Sequence, residues 1–199
     1  MKKRKGPGPQ VGTVYKDATE IKQLLIGATI DLLKSGVSVT DITARSITSQ
    51  ANLDKMYVSR FFGNKDNLFL ATVIELVGTR MSSLIGADVF DAAGSGQIDP
   101  QVALAFDLFT YLAKKPDLEP QLRGLAETVL GLYRLQIEKE FGLTGTLADR
   151  QAVLGLMALV GYLSVGHLIP VDNREIATWV EGRRELLKLY AERQEVPKD

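Results

Sequence analysis

Cysteine is absent from the 199-residue sequence, and histidine occurs once, at His167. Without cysteine there is no disulfide, no thiolate nucleophile and no cysteine-ligated metal, which is compatible with a reducing cytoplasm. The sequence also lacks a Gly-rich phosphate loop, a G-x-S-x-G motif and a carboxylate pair beside the histidine, and the GSG at residues 94–96 is typical of a loop. We therefore expect a protein that is not an enzyme and that has no metal or cofactor.

A secretion signal is not expected either. The basic start MKKRKGPGPQVG has Gly and Pro where a signal peptide needs an apolar stretch. Export is not expected, and we predict a cytoplasmic protein.

Long uncharged runs are scarce, with one exception at residues 151–171, which contain no Asp, Glu, Lys or Arg. The run is long enough to raise the question of a membrane span. Three glycines, a serine and a histidine interrupt it, and amphipathic helices are predicted on both sides. A helix that is apolar all round can also be buried in a subunit interface, which is the interpretation we favour over a membrane helix.

No excess of one charge exists over the whole chain, but the two parts of the sequence differ. Residues 1–80 hold 12 Lys and Arg against 7 Asp and Glu, whereas residues 81–199 hold 12 against 17. The N-terminal part, at +5, is therefore the part expected to face a polyanion. Its basic arm contributes Lys3 and Arg4 as candidate contacts, although such an arm can equally be a solubilising tail.

Apolar residues recur with helical spacing along nearly the whole chain, and neither β-alternation nor a heptad repeat competes with it. The pattern predicts an all-α protein: a helix ending near Gly36, short helices at about 43–50 and 54–62, and a long fourth helix after Asn64, which is its expected N-cap. A loop follows at 86–100. Further helices are expected at about 102–114, 122–141 and 147–168, with a last one after Asn173.

The segment 43–62 has the features of a helix-turn-helix. Asn52 is suited to a left-handed turn conformation, and Asp54 is a candidate cap for the helix that follows. Val58, Phe61 and Phe62 form the stripe that should anchor this third helix on its neighbours. The opposite face would then be free to enter a DNA major groove.

The predicted outer face combines cations, hydroxyls and a thioether. Cations can bind phosphate or guanine, hydroxyls can donate to phosphate or base, and Met56 can contact a thymine methyl. Lys65 lies in the first turn of the fourth helix, where an anion is already favoured. The candidate DNA contacts are Thr43, Arg45, Lys55, Met56, Tyr57, Ser59, Arg60 and Lys65, together with the arm residues Lys3 and Arg4.

The stretch TARSITSQANLDKMYVSRFFGNKDNL, residues 43–68, resembles the helix-turn-helix of TetR-type one-component transcriptional regulators, and the resemblance extends over about residues 19–80. It departs from the usual pattern at Thr48, Asn52, Met56 and Ser59, so no operator sequence can be transferred. The resemblance implies a basic arm at 1–17, a DNA-binding domain at 18–66 and an effector-binding, dimerising helical domain at 67–199.

The implied function is a ligand-responsive regulator, expected to be a repressor, that binds a pseudo-palindromic operator as a homodimer. A small apolar or amphipathic effector would release it. Candidate pocket residues are Phe106, Phe109, Tyr133, Met157 and His167, each of which can equally be core. Candidate dimer contacts are Leu154, Ala158, Tyr162, Val165, Trp179 and Leu186. The alternative is a helical adaptor that binds proteins and not DNA.

Overall fold

The computed structural model describes residues 17–86, 100–165 and 173–194, and in these residues it is all-helical, without strands. The helices are α1 (Ala18–Lys34), α2 (Ala44–Gln50), α3 (Met56–Phe62), α4 (Lys65–Gly86), α5 (Pro100–Leu112), α6 (Glu119–Phe141), α7 (Gly145–Val165) and α8 (Asn173–Gln194). A single 3₁₀ turn, Pro116–Leu118, leads into α6. The predicted all-α class is thereby confirmed.

The helix ends follow from local capping. In α1, Asp17 accepts a hydrogen bond from the Glu20 N–H, and the chain leaves the helix through Gly36 at φ 84°. In α2, Thr43 and Ser46 form a reciprocal capping box. The α4 cap is the predicted one, since the Asn64 side chain accepts from the Asn67 N–H at 2.8 Å. Each cap satisfies donors or acceptors that a helix end leaves open.

The turn between α2 and α3 closes α2 with paired backbone bonds. The Leu53 N–H donates to the Thr48 carbonyl at 2.8 Å, and the Asn52 N–H donates to the Ser49 carbonyl at 3.1 Å. This is a Schellman arrangement, and its left-handed position is Asn52, at φ 52°. The predicted role of Asn52 is confirmed.

The third helix begins two residues later than expected, at Met56 rather than Asp54, so the connection is five residues long. Asp54 still serves the helix start, because its carboxylate accepts from the Met56 N–H at 2.9 Å.

Two apolar clusters organise the described chain. The first joins α1 to α4 with α5 and includes the fully buried Leu25, Ile42, Ile47, Phe69 and Leu108. The second joins α6, α7 and α8 around Tyr133, Ile137, Leu143, Ala152 and Leu187. Since α5 contributes Leu108 and Leu112 to the first cluster, the helix-turn-helix packs on the rest of the chain and not only on itself.

Candidate nucleic-acid interface

One face of α3 is anchored and the opposite face is open. Val58 is 2% exposed, and Phe61 and Phe62 are half-buried against the first apolar cluster. The helix packs on α1, α2 and α4. Lys55, Met56, Ser59 and Arg60 are exposed. We call these four residues the α3 outer face.

Met56 is the apolar member of that face. Met56 is 68% exposed at the first residue of α3, and the polar Lys55 and Ser59 of the same face are exposed as well. An isolated exposed methionine is unremarkable on a protein surface. Here it lies among the cations Lys55 and Arg60, so the face offers charge and an apolar contact side by side.

Tyr57 was predicted on the same side but occupies its margin. Its ring is half-buried and stacks on Phe61, with centroids 5.7 Å apart and ring planes 13° apart. Packing therefore fixes the ring, and the residue shares in the first apolar cluster.

The start of α2 supplies two further candidate contacts. The Thr43 hydroxyl accepts from the Ser46 N–H at 3.0 Å, so this side chain has a capping role. Arg45 is exposed one residue into the helix. Within residues 17–86, Arg45, Lys55 and Arg60 form no ion pair with a carboxylate. Their charge is therefore available to an external anion.

Lys65 has different surroundings from the other predicted cations. Its ammonium donates to the Ile42 carbonyl at 2.8 Å and lies 5.1 Å from the Phe69 ring centroid and 5.4 Å from that of Tyr111. The residue is half-buried. These contacts give it a packing role between α4, α5 and the start of α2, and the predicted phosphate contact remains untested.

The predicted pocket residues that the structure describes lie on three helices, α5, α6 and α7. Phe109 packs on the first apolar cluster, and Tyr133 belongs to the second. Phe106 is half-buried on α5. Met157 is 66% exposed on α7, and its role in a pocket stays a prediction. His167 lies outside the described residues, as do Lys3 and Arg4 of the basic arm.

The predicted dimer contacts fall on α7 and α8, where exposed apolar side chains are concentrated. Leu154 is 58% exposed and Leu186 is 56% exposed, whereas Ala158 is half-buried. The exposed apolar set on these helices is Val153, Leu154, Met157, Val160, Leu186, Leu189 and Tyr190. We call it the α7–α8 apolar surface. The side chains of Tyr162, Val165 and Trp179 are outside the described part.

The described residues contain neither a candidate membrane span nor a candidate metal site. Among the described residues, no helix combines the length and apolarity that a bilayer span requires. In the same residues, no group of His, Asp and Glu is arranged to hold a metal ion.

Three residues with specific contacts were not predicted. The Tyr111 hydroxyl donates to Asp66 Oδ1 at 3.0 Å, and Lys115 Nζ lies 3.3 Å from Asp66 Oδ2. Tyr111 and Lys115 sit at and just after the end of α5, while Asp66 is in the first turn of α4. No local pattern relates positions 45 residues apart, so sequence spacing could not have found the group.

No protein-family profile matches the sequence, and no curated protein matches it either. Its fold is similar to the crystal structure of a proposed transcriptional regulator from Pseudomonas aeruginosa PAO1, with a TM-score of 0.63 and 21% sequence identity. The match covers 93% of this chain and 98% of that chain. At this identity the likeness is one of fold, and the chain shares its helical architecture with that protein over nearly its whole length.

Proposed function

We propose that the chain is a DNA-binding transcriptional regulator of the TetR type that inserts the α3 outer face into the major groove. The observation that carries this proposal is the exposure of Lys55, Met56, Ser59 and Arg60 together, on a helix whose other face is anchored by Val58. A short helix held in this way can read base edges, while cations beside it neutralise phosphates. The similarity in fold to a proposed transcriptional regulator supports the same function.

In this proposal the roles of the residues differ. Lys55 and Arg60 bind phosphate or guanine, Ser59 donates to phosphate or base, and Arg45 binds phosphate from the start of α2. Thr43 acts through the cap that holds α2 in place. Tyr57 contacts DNA from the edge of the face. Lys3 and Arg4 add contacts from the basic arm.

A homodimer is the second part of the proposal. The α7–α8 apolar surface supports it, because exposed apolar patches commonly mark an interface. A two-fold axis would present two α3 helices to half-sites about 34 Å apart, which predicts a pseudo-palindromic operator.

Regulation by a small molecule is the third part. An apolar or amphipathic effector bound among the C-terminal helices would release the DNA, provided that it prefers the conformation that fits the operator less well. The candidate contacts are Phe106, Phe109, Tyr133, Met157 and His167. Repression follows if the operator overlaps a promoter.

Selection of bound fragments from random duplex DNA tests the proposal. We expect a pseudo-palindromic site whose affinity falls with rising salt. A plot of the logarithm of the association constant against the logarithm of the salt concentration should have a slope of about −0.9 per phosphate contact, which we call the salt slope. Arg60→Ala should weaken binding, whereas Lys139→Ala, which removes an exposed cation from α6, should leave it unchanged. Absence of salt-dependent duplex binding would contradict the proposal and favour the adaptor alternative.

A further inference from the structure

The first turn of α4 holds three other elements through three consecutive side chains. Lys65 Nζ donates to the Ile42 carbonyl at 2.8 Å, and Asn67 Nδ2 donates to the Phe62 carbonyl at 2.9 Å. Between them, Asp66 accepts from the Tyr111 hydroxyl at 3.0 Å. We call residues 65–67 the α4 hub.

Two of the three hydrogen bonds of the hub end on the helices of the candidate interface. Ile42 directly precedes Thr43, the cap of α2, and its side chain is fully buried. Phe62 is the last residue of α3. The hub therefore holds the beginning of one interface helix and the end of the other.

The third hydrogen bond, between Asp66 and Tyr111, connects the hub to α5. Besides the Tyr111 hydroxyl, Asp66 faces Lys115, with 3.3 Å between Nζ and Oδ2. The Lys115 ammonium also lies 4.9 Å from the Tyr111 ring centroid, and the Phe69 ring meets Tyr111 edge-on at 5.6 Å. Hydrogen bonding to Tyr111 and Asp66 raises the pKa of Lys115 above its ordinary value.

Such a group is more than a surface ion pair. An exposed pair alone contributes little, because water screens it and two side chains lose freedom. Here one carboxylate takes both a hydroxyl and an ammonium, and the Tyr111 ring contacts two further side chains of α4, Lys65 and Phe69. The physical chain of contacts from α5 to α2 and α3 is continuous.

We propose that Tyr111 and Lys115 are positioning residues for the DNA-reading helices. They hold Asp66, and the adjoining Lys65 and Asn67 transmit that position to the ends of α2 and α3. Neither residue touches DNA in this scheme. The link to DNA affinity rests on the proposed function, whereas the link to α2 and α3 does not.

Amide hydrogen exchange on the full chain tests the positioning. Tyr111→Phe removes the hydroxyl and keeps the ring, and Lys115→Met removes the charge and keeps most of the stem. The control is Glu119→Gln, which removes the exposed ion pair with Arg123 on α6 (2.7 Å). We expect exchange of residues 43–62 to rise roughly threefold or more in both variants, while slow amides of 122–137 keep their wild-type rates. The control should match wild type.

A purely structural role would raise exchange in 43–62 and in 122–137 together, because both regions would open through the same global unfolding. That result, or unchanged exchange in 43–62, would overturn the proposal.

DNA affinity is the second readout, using the duplex selected by the wild-type chain. Both variants should bind roughly threefold to tenfold more weakly with an unchanged salt slope, since no phosphate contact is removed. Affinities within twofold of wild type would overturn positioning of the DNA-reading face. If the wild-type chain selects no duplex, the proposed function fails, and the exchange measurement alone decides whether Tyr111 and Lys115 position α2 and α3.

Discussion

At the scale of the residue, Arg60 and Lys65 are two cations with opposite surroundings. Arg60 is exposed on α3 and lies over the Phe61 ring, 5.5 Å from its centroid. Lys65 is half-buried and bonded to a backbone carbonyl 23 residues away. Removal of a charge that contacts DNA should lower the affinity for DNA. Removal of a charge that is hydrogen-bonded inside the fold should lower the free energy of unfolding.

The two alanine substitutions therefore have different expected signatures. Arg60→Ala should reduce the salt slope of duplex binding by about 0.9 per protomer, or about 1.8 for the homodimer, and leave the free energy of unfolding nearly unchanged. Lys65→Ala should lower the free energy of unfolding by roughly 1–2 kcal/mol, through the lost hydrogen bond and ring contacts, and leave the slope unchanged. Denaturant unfolding and salt titrations measure both quantities. If Lys65→Ala instead reduced the salt slope and left the free energy of unfolding unchanged, the result would support the phosphate contact that the sequence predicts for Lys65.

Met56 gives a prediction about base readout. The apolar group that the major groove displays is the thymine methyl. In the proposed complex this methyl is therefore the expected contact of Met56 on the α3 outer face. Replacing one half-site thymine by uracil should weaken wild-type binding by roughly fourfold, as expected for the loss of one buried methyl. Met56→Ala should be insensitive to the same replacement. Equal sensitivity of both proteins, measured by titration of each duplex, would exclude Met56 as the reader.

At the scale of the element, the α2–α3 turn depends on a left-handed residue that is not glycine. Asn52 at φ 52° closes α2, and asparagine tolerates this conformation better than residues with larger apolar side chains. Asn52→Ala should lower the free energy of unfolding by about 1 kcal/mol, whereas Asn52→Gly should be neutral or slightly stabilising. Gln50→Ala, an exposed change two residues earlier, serves as the control and should stay within about 0.5 kcal/mol. Thermal or denaturant unfolding would contradict this account if the Asn52→Ala variant were as stable as wild type.

Sequence patterns predicted the elements well where the cause is local. Asp54 and Asn64 accept from N–H groups two and three residues ahead, and Asn52 takes the left-handed position of a short turn, so their roles could be inferred from residue type and position. The anchoring stripe of α3 follows from helical periodicity in the same way. The contacts of Lys65 and the exposure of Met157 could not be inferred in this way: the Lys65 partners are at Ile42 and Tyr111, and the exposure of Met157 depends on which face of α7 meets α6. Both are set by tertiary packing, which one sequence does not specify.

At the scale of the whole molecule, the α7–α8 apolar surface has a direct test. Arg183 on α8 donates to the Gln151 carbonyl on α7 at 3.0 Å, which ties the two helices together. Leu154→Glu and Leu186→Glu should each raise the dimer dissociation constant roughly thirtyfold or more, because a charge would replace an apolar contact at the interface. Leu135→Glu is the matched control, since Leu135 is equally exposed at 58% but lies on α6. Sedimentation that gives the same mass for all four chains would place the interface elsewhere.

The length of α4 has a mechanical consequence. Its 22 residues correspond to a rod of about 33 Å, one end of which is the hub beside α2 and α3. Pivoting such a rod by about 5° at its far end displaces the hub by about 3 Å, close to the 3.4 Å spacing of successive bases along one strand. If α1, α2 and α3 rotate together with α4, a tilt of this size would be enough to move a bound half-site out of register.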